Sequence, residues 1–395
     1  MKKTILRLLT LIFLIMFCFS LCGCKNNAYK SFSKTIKYED LDSVDKKMLS
    51  QLNKILYKSK ENLWQNFNLK NKPLIMIRKD ENDDKGKQNR KDISYYAINI
   101  DGIEKEATKK VKMPEGFYFK SVYRFNKVPD YLSRLNENHS LADDKLKIGN
   151  IDNIFYFKYN SKNFTTETEN NIENLFPVSF SKSAFEYYVQ NSWKLTYPKS
   201  IALTKKEISY IGLKYKIIEQ LQKENKKEEI NKKKINMLIS EYISVEAERY
   251  SLNNKEYLEQ ERIKETVLGS SFYISFRASK LTNTKYDILQ YENKIVTLSE
   301  VFNLMSQDKY PVTFISNDEL SITGMILCIS LNNIQGTKWQ SEINKNDEEK
   351  TITLYDIIHD YYKKNKLKKI NIEDIKEKYN YNKILEKSEK IQRLL

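Results

Sequence analysis

Apolar residues are spaced in two ways along this chain, and the change from one to the other divides it. Near the start, Met48, Leu52, Ile55, Leu56 and Leu63 recur at three and four residues, which predicts a helix ending near Trp64 to Phe67. Pro73 then precedes the apolar run Leu74 to Ile77, and aromatic and branched residues fill 95–103, 118–125 and 154–159, so these segments predict strands. Between them, residues 80–92 are almost wholly polar and predict an exposed, mobile loop. After about residue 170 the helical period takes over. Helices are expected near 171–193, 205–225, 229–252 and 255–281, with a charged joint at Gln222 to Lys234. Val312 to Ile315 predicts a short strand, while periodicity leaves Ile322 to Leu331 open between a buried helix and a strand. From Leu354 to Leu395, Ile357, Tyr361, Ile375, Tyr379, Ile384 and Ile391 stand among lysines and glutamates, the pattern of amphipathic helices with solvated faces. The fold class expected is therefore α+β, a small N-terminal mixed sheet followed by a mainly helical part.

The first residues belong to neither pattern. Lys2, Lys3 and Arg7 form a basic start, Leu8 to Phe19 an apolar stretch, and Leu21-Cys22-Gly23-Cys24 closes it. The apolar stretch falls short of the roughly 20 residues a spanning helix needs. This region resembles the signal and lipobox of bacterial lipoproteins. The resemblance implies that residues 1–23 are a signal peptide and that Cys24 becomes the mature N-terminus, carrying a diacylglyceryl group and further acylation of the palmitate kind. Two acyl chains hold a protein stably on a membrane where one is marginal. The expected location is the outer face of the cytoplasmic membrane in a Gram-positive-like envelope, with residues 24–40 as a tether.

Composition narrows the partners. Cys18 and Cys22 leave with the signal and Cys24 takes the lipid, so Cys328 is the one remaining thiol and no internal disulfide is expected. The formal charge is +16, in a chain rich in lysine, asparagine and isoleucine. No nucleic-acid-binding motif accompanies that charge, so nucleic acid is excluded as a partner; for an exported chain, anionic lipid or an anionic envelope polymer fits better.

The segment Phe180 to Lys194 reads F-S-K-S-A-F-E-Y-Y-V-Q-N-S-W-K. It resembles the zinc-binding helix of zincin-type metallopeptidases, H-E-A-F-H-Y-Y-V-Q followed by a tryptophan, with the histidines replaced. On that pattern Lys182 and Glu186 stand at the two ligand positions and Ser183 at the general base. Residues 257–273 are similar to the later gluzincin helix, whose E-x-x-E-G-x-A-x-Y pattern supplies the third ligand. Leu268 stands where the glutamate before Gly269 would be, and Glu265 survives one turn earlier. Asn62 to Phe67 before Pro73 also resembles the approach to the first strand of such families. The likeness spans roughly residues 40–345 and implies a zincin-like domain over 41–345, sheet-rich to about 165, with charged C-terminal helices over 346–395.

Two histidines four apart reach one zinc ion from one helix face, and the glutamate between takes a proton from the metal-bound water. An ammonium cannot ligate a cation, and a serine cannot act as a carboxylate base at neutral pH. The motif positions Lys182, Ser183, Glu186, Glu265 and Leu268 thus describe a degenerate site with no catalytic residue, no metal and no cofactor. His139 and His359, the only histidines, read as an ordinary loop residue and an ordinary helix residue, neither with a histidine partner. A Lys182 ammonium in the vacated metal position, paired with Glu186 at i, i+4 and with Glu265 nearby, is one expectation; a surface ion pair is the other. Phe185, Tyr187, Tyr188, Trp193 and Tyr197 read as core packing rather than the lining of a groove, with Tyr273 and Phe276 as partners.

The function expected is binding of a peptide, a protein or an envelope polymer by an inactive peptidase-like lipoprotein. The alternatives are a metallohydrolase with an all-oxygen centre from Glu186, Glu265 and Glu261, which would favour calcium or magnesium, and a transporter's solute-binding lipoprotein. The last usually shows strands and helices alternating in two lobes, whereas strands here come early and helices late.

Overall fold

The computed structural model describes residues 34–79, 92–103, 108–141, 144–165, 174–194, 203–252, 254–284, 289–292 and 294–395. The signal, Cys24 and most of the expected tether lie outside these residues, as do the polar loop from 80 to 91 and Tyr197.

Six strands form one mixed sheet: β1 (Thr35–Lys37), β2 (Leu74–Lys79), β3 (Asp92–Ile98), β4 (Thr108–Lys112), β5 (Val122–Phe125) and β6 (Phe155–Tyr159), in the order β1-β4-β5-β3-β2-β6. β1 runs parallel to β4 and β6 parallel to β2, and the other pairings are antiparallel. Leu74 and Met76 point to one face and Ile75 and Ile77 to the other, and both faces are covered: the first joins the large core shared with the helices, the second a smaller cluster with Leu132, Ile148 and Ile154. Burial on two sides explains why Leu74 to Ile77 is a continuous apolar run rather than an alternation.

Part of the expected tether is a strand. Residues 35–37 pair in register with Lys110 to Lys112, and Lys110 donates its N–H to the Lys34 carbonyl at 2.9 Å. The β-branched Thr35 and Ile36 suit a strand, and the outer edge of β4 supplies the pairing that a free tether would lack. The mainly polar β4, Thr-Lys-Lys-Val-Lys, carries little apolar signal of its own.

Helix α1 (Ser43–Asn62) lies against the sheet and is fastened by the buried Asp45. That carboxylate accepts from Tyr96 Oη at 2.7 Å, from Tyr159 Oη at 2.8 Å and from Ser94 Oγ at 3.2 Å. The helical part comprises α2 (Phe176–Tyr188), α3 (Lys205–Asn225), α4 (Lys232–Ser251), α5 (Lys255–Thr282), α6 (Leu298–Met305), α7 (Asp318–Gln335), α8 (Leu354–Lys364), α9 (Ile372–Lys378) and α10 (Tyr381–Gln392). Several begin where the sequence supplies a reciprocal cap, as at Thr204 with Glu207, Thr297 with Glu300 and Thr353 with Asp356.

Residues 312–315, expected as a strand, belong instead to a 3₁₀ turn from Val312 to Ser316; Pro311 precedes it, and Phe314 and Ile315 turn into the core. No strand of the main sheet is at hand to pair with it. Ile322 to Leu331 lies within α7, buried nearly all round, which is why its period was silent. In the C-terminal helices expected over 346–395, Leu354, Ile358, Ile375, Ile384 and Ile391 belong to the same core cluster as residues of the sheet.

Candidate functional site

The two helices that carry the peptidase-like segments pack against each other. Ser275 Oγ donates to the Val178 carbonyl at 3.3 Å, the Lys182 ammonium lies 5.0 Å from the Phe272 ring centre, and Gln190 Nε2 donates to the Val267 carbonyl at 2.8 Å and to Ser270 Oγ at 2.9 Å. Numbers rising along α2 meet numbers falling along α5, so the helices are antiparallel. The aromatic residues between them are core. Phe185 meets Trp64, Phe67 and Trp193 at 5.1, 5.4 and 6.1 Å, and Tyr273 reaches Trp64 from α5 at 6.1 Å. Tyr187 and Tyr188 donate to the Asp144 and Pro73 carbonyls, and Phe276 packs partly buried against the same cluster. These edge-on contacts add to area burial roughly 0.5–1.5 kcal/mol per pair.

The structure separates the expected site residues into two groups. Lys182 and Glu186 face outward, 33% and 36% exposed, and stand 3.9 Å apart. An i, i+4 pair so exposed contributes at most a few tenths of a kcal/mol. Ser183 is buried and Leu268 half-buried. Glu265, expected near Lys182, points to the opposite side of α5: it is 2% exposed, accepts a hydrogen bond from Thr323 Oγ1 and lies 3.4 Å from Lys214 Nζ. Residues 265 and 269 share the helix face turned to α7, whereas 268 is rotated away.

Zinc does not fit the residues present on the α2 face, because Lys182 and Leu268 offer no lone pair and Glu186 stands without a second donor. The all-oxygen alternative also separates, since Glu261 and Glu265 lie together without Glu186. Among the described residues, no group of three or more His, Cys, Asp or Glu side chains is placed to hold a metal ion. His139 sits half-buried beside β6, stacked on Phe157, and His359 stacks on Tyr355.

Glu265 belongs to a buried charge cluster between α3, α4, α5 and α7. Lys214 Nζ stands 3.4 Å from Glu261, 3.4 Å from Glu265 and 3.7 Å from Glu319. Arg249 binds Glu261 through two nitrogens at 2.7 and 2.8 Å and Glu246 at 2.8 Å. Arg262 reaches Glu246 at 3.4 Å and lies 3.5 Å from the centre of the Tyr355 ring, which caps the cluster from α8. All seven charged groups are at most 9% exposed.

Three cations face four carboxylates, and a proton on Glu319 would balance them. Burial pushes its pKa up to about 8 against the pull of Lys214, and neither carboxyl oxygen has a hydrogen-bond partner. Glu261 is the opposite case: burial would raise it, but the Arg249 guanidinium and Lys214 ammonium outweigh burial and hold it at about 2. Lys214 stays charged in spite of burial because Glu265 and then Glu261 lie beside it. The sequence reading missed Lys214, Glu246, Arg249, Arg262 and Glu319 as a site. The available signal was Lys214, a charge between Leu213 and Tyr215, whereas Glu319 follows Asp318 and carried no such mark.

A pH dependence follows. Between the ordinary glutamate value of 4.5 and about 8, folded Glu319 holds a proton that the unfolded chain has lost, so its contribution weakens stability as pH rises through that window. Glu261 acts below it, adding stability as pH rises from about 2 to 4.5. From about pH 5 to pH 8 the parent's melting temperature should therefore fall more steeply than that of Glu319→Gln, in which the raised Glu265 remains; circular dichroism melts at four pH values measure it, and parallel slopes would refute it.

Cys328 is a buried free thiol, raised by burial, and takes part in no disulfide. No protein-family model, no curated protein and no solved structure matches this chain.

Proposed function

We propose that this chain is a lipoprotein tethered through diacylglyceryl-Cys24 to the outer face of the cytoplasmic membrane, and that its zincin-like domain is catalytically inactive and serves a binding role. The observation that carries the reading is the divided motif. Lys182 and Glu186 form an exposed ion pair on one side of the α2–α5 pair, while Glu265 is committed to Lys214 and Thr323 on the other. A helix pair held by Gln190, Ser270 and aromatic packing needs no metal to keep its geometry.

A single large sheet whose strands come ahead of most helices, and a large core cluster shared by sheet and helices, favour this reading over a two-lobed solute receptor. Among the described residues no helix is long and apolar enough to cross a membrane; attachment is assigned to the lipid on the resemblance of Leu21 to Cys24 to a lipobox. Residues 25–33 separate Cys24 from the folded part and span at most roughly 30 Å when extended, which keeps the domain close to the bilayer.

The test is metabolic labelling with palmitate in a lipoprotein-processing bacterium, together with peptide hydrolysis by the purified protein. The parent chain should take up label and partition with membranes, Cys24→Ala should do neither, and no hydrolysis should exceed that of a Glu186→Ala control. Labelling unaffected by Cys24→Ala would overturn the tether. Hydrolysis abolished by Glu186→Ala would overturn the inactive domain.

A further inference from the structure

Helix α10 lies against α3 and α6, and the line where they meet opens to solvent as two adjoining cavities. One, of about 520 Å³, lies between the end of α6 and the side of α10 that carries Lys383, Lys387, Lys390 and Arg393. The other, of about 190 Å³, has Phe302 and Ile384 in its lining and is also lined by Lys216, Lys383 and Lys387. Lys383 and Lys387 line both, so the two make one groove. Its geometry is fixed from below: Gly212 of α3 lies so close to Ile384 and Phe302 that an added Cβ would come within 2.6 and 2.8 Å of them.

The charges in this groove are unbalanced. Among the described residues, no carboxylate pairs with Lys216, Lys383, Lys387 or Lys390. Glu389 is already bound to Lys205 and Arg393, each at 2.7 Å, and Glu386 is the one other acid in the lining. The Lys387 ammonium is drawn below its ordinary value by burial and then by repulsion from Lys216, Lys383 and Lys390. The four charges are thus close enough to act on one another, and an anion entering between them relieves that repulsion. Lysine presents a compact point charge, which suits phosphate oxygens. Lys383, Lys387 and Lys390 recur at i, i+4 and i+7 on α10, so neighbours in the row are roughly 5–6 Å apart. Such a row fits repeated anionic groups better than a single small ion.

We infer that the groove between α3, α6 and α10 binds a phosphate-bearing polyanion, with Lys216, Lys383, Lys387 and Lys390 as its phosphate contacts. A soluble or wall-borne polymer is favoured over a bilayer surface, because the lysines line a recess that a chain can enter and a flat bilayer cannot. This deepens the binding role proposed above and rests on it.

The full-length chain in neutral detergent is titrated with linear inorganic polyphosphate, with inorganic phosphate and with phosphatidylglycerol vesicles. Polyphosphate should bind saturably and far more tightly than inorganic phosphate. The double variant Lys383→Gln/Lys387→Gln should lose on the order of tenfold in affinity and show a shallower salt dependence. Lys232→Gln/Lys233→Gln, exposed and outside the groove, should lose less than about twofold. The groove variant should melt no lower than the parent, since two mutually repelling charges are gone. Equal losses in the two variants would make the attraction a general effect of a basic surface and overturn the groove. Binding to vesicles through these lysines without polyphosphate binding would assign it to lipid and equally overturn the polymer, as would no binding at all. The lipid tether and the inactive domain are judged separately, by the labelling and hydrolysis test.

Discussion

Alanine at Gly269 or at Gly324 is expected to destabilise the helical part by about 3 kcal/mol or more, at the upper end of what overpacking costs. The two glycines are the point where α5 and α7 cross. A Cβ on Gly269 would stand 2.4 Å from the Gly324 Cα, and one on Gly324 would stand 2.3 Å from the Glu265 carbonyl oxygen. These neighbours are backbone atoms, so no rotamer change relieves the contact and the helices must move apart. Separation also strains the Thr323 to Glu265 hydrogen bond one turn away. Urea unfolding of each single variant and of the pair measures the effect. The second alanine should cost less than the first, because the gap is already open, and single variants within about 1 kcal/mol of the parent would contradict the crossing. Gly269 therefore has a packing reason to be glycine that is independent of any metal motif.

Lys214→Met is expected to cost about 3–5 kcal/mol at neutral pH, the range for removing one partner of a buried ion pair. Without the ammonium, Glu265 and Glu319 lose their one cationic neighbour within 4 Å, and Glu261 keeps only Arg249. The variant should regain stability as pH falls, since Glu265, already raised by burial, then takes up a proton. Adding Glu265→Gln to Lys214→Met should recover part of the loss at neutral pH, because the uncompensated charge is gone. Denaturation of the single and double variants at about pH 5 and pH 8 reads both effects. A single variant as stable as the parent at pH 8 would show that the four carboxylates do not depend on Lys214.

The parts of the fold legible in the sequence were those whose own apolar and aromatic residues are spaced or grouped strongly enough to mark the element. α3 and α5 follow their apolar spacing to within a residue, and β2 and β6 follow their aromatic and branched runs. β1 and β4 were hidden because each is short and mainly polar and depends on the other's edge. The 3₁₀ turn at 312–316 was read as a strand because branched residues favour strands locally, whereas here the core rather than a partner edge receives Phe314 and Ile315.

The candidate site was legible in its positions but not in its pairings. The i, i+4 relation of Lys182 and Glu186 is a property of any helix and survives in the structure. Which face of α5 carries Glu265 depends on where α3 and α7 dock, and that is tertiary information. Of the two readings of Lys182, the surface ion pair with Glu186 is the one seen, and the lysine beside Glu265 is Lys214, which the sequence did not point to.

The inactive domain proposed above requires that no transition metal organises the α2–α5 pair. Metal analysis of the purified full-length chain, with thermal melts before and after chelation, addresses it most directly. We expect no stoichiometric zinc and no change in melting temperature on chelation. One tightly held zinc per chain, with a melting temperature that falls on its removal, would contradict the account.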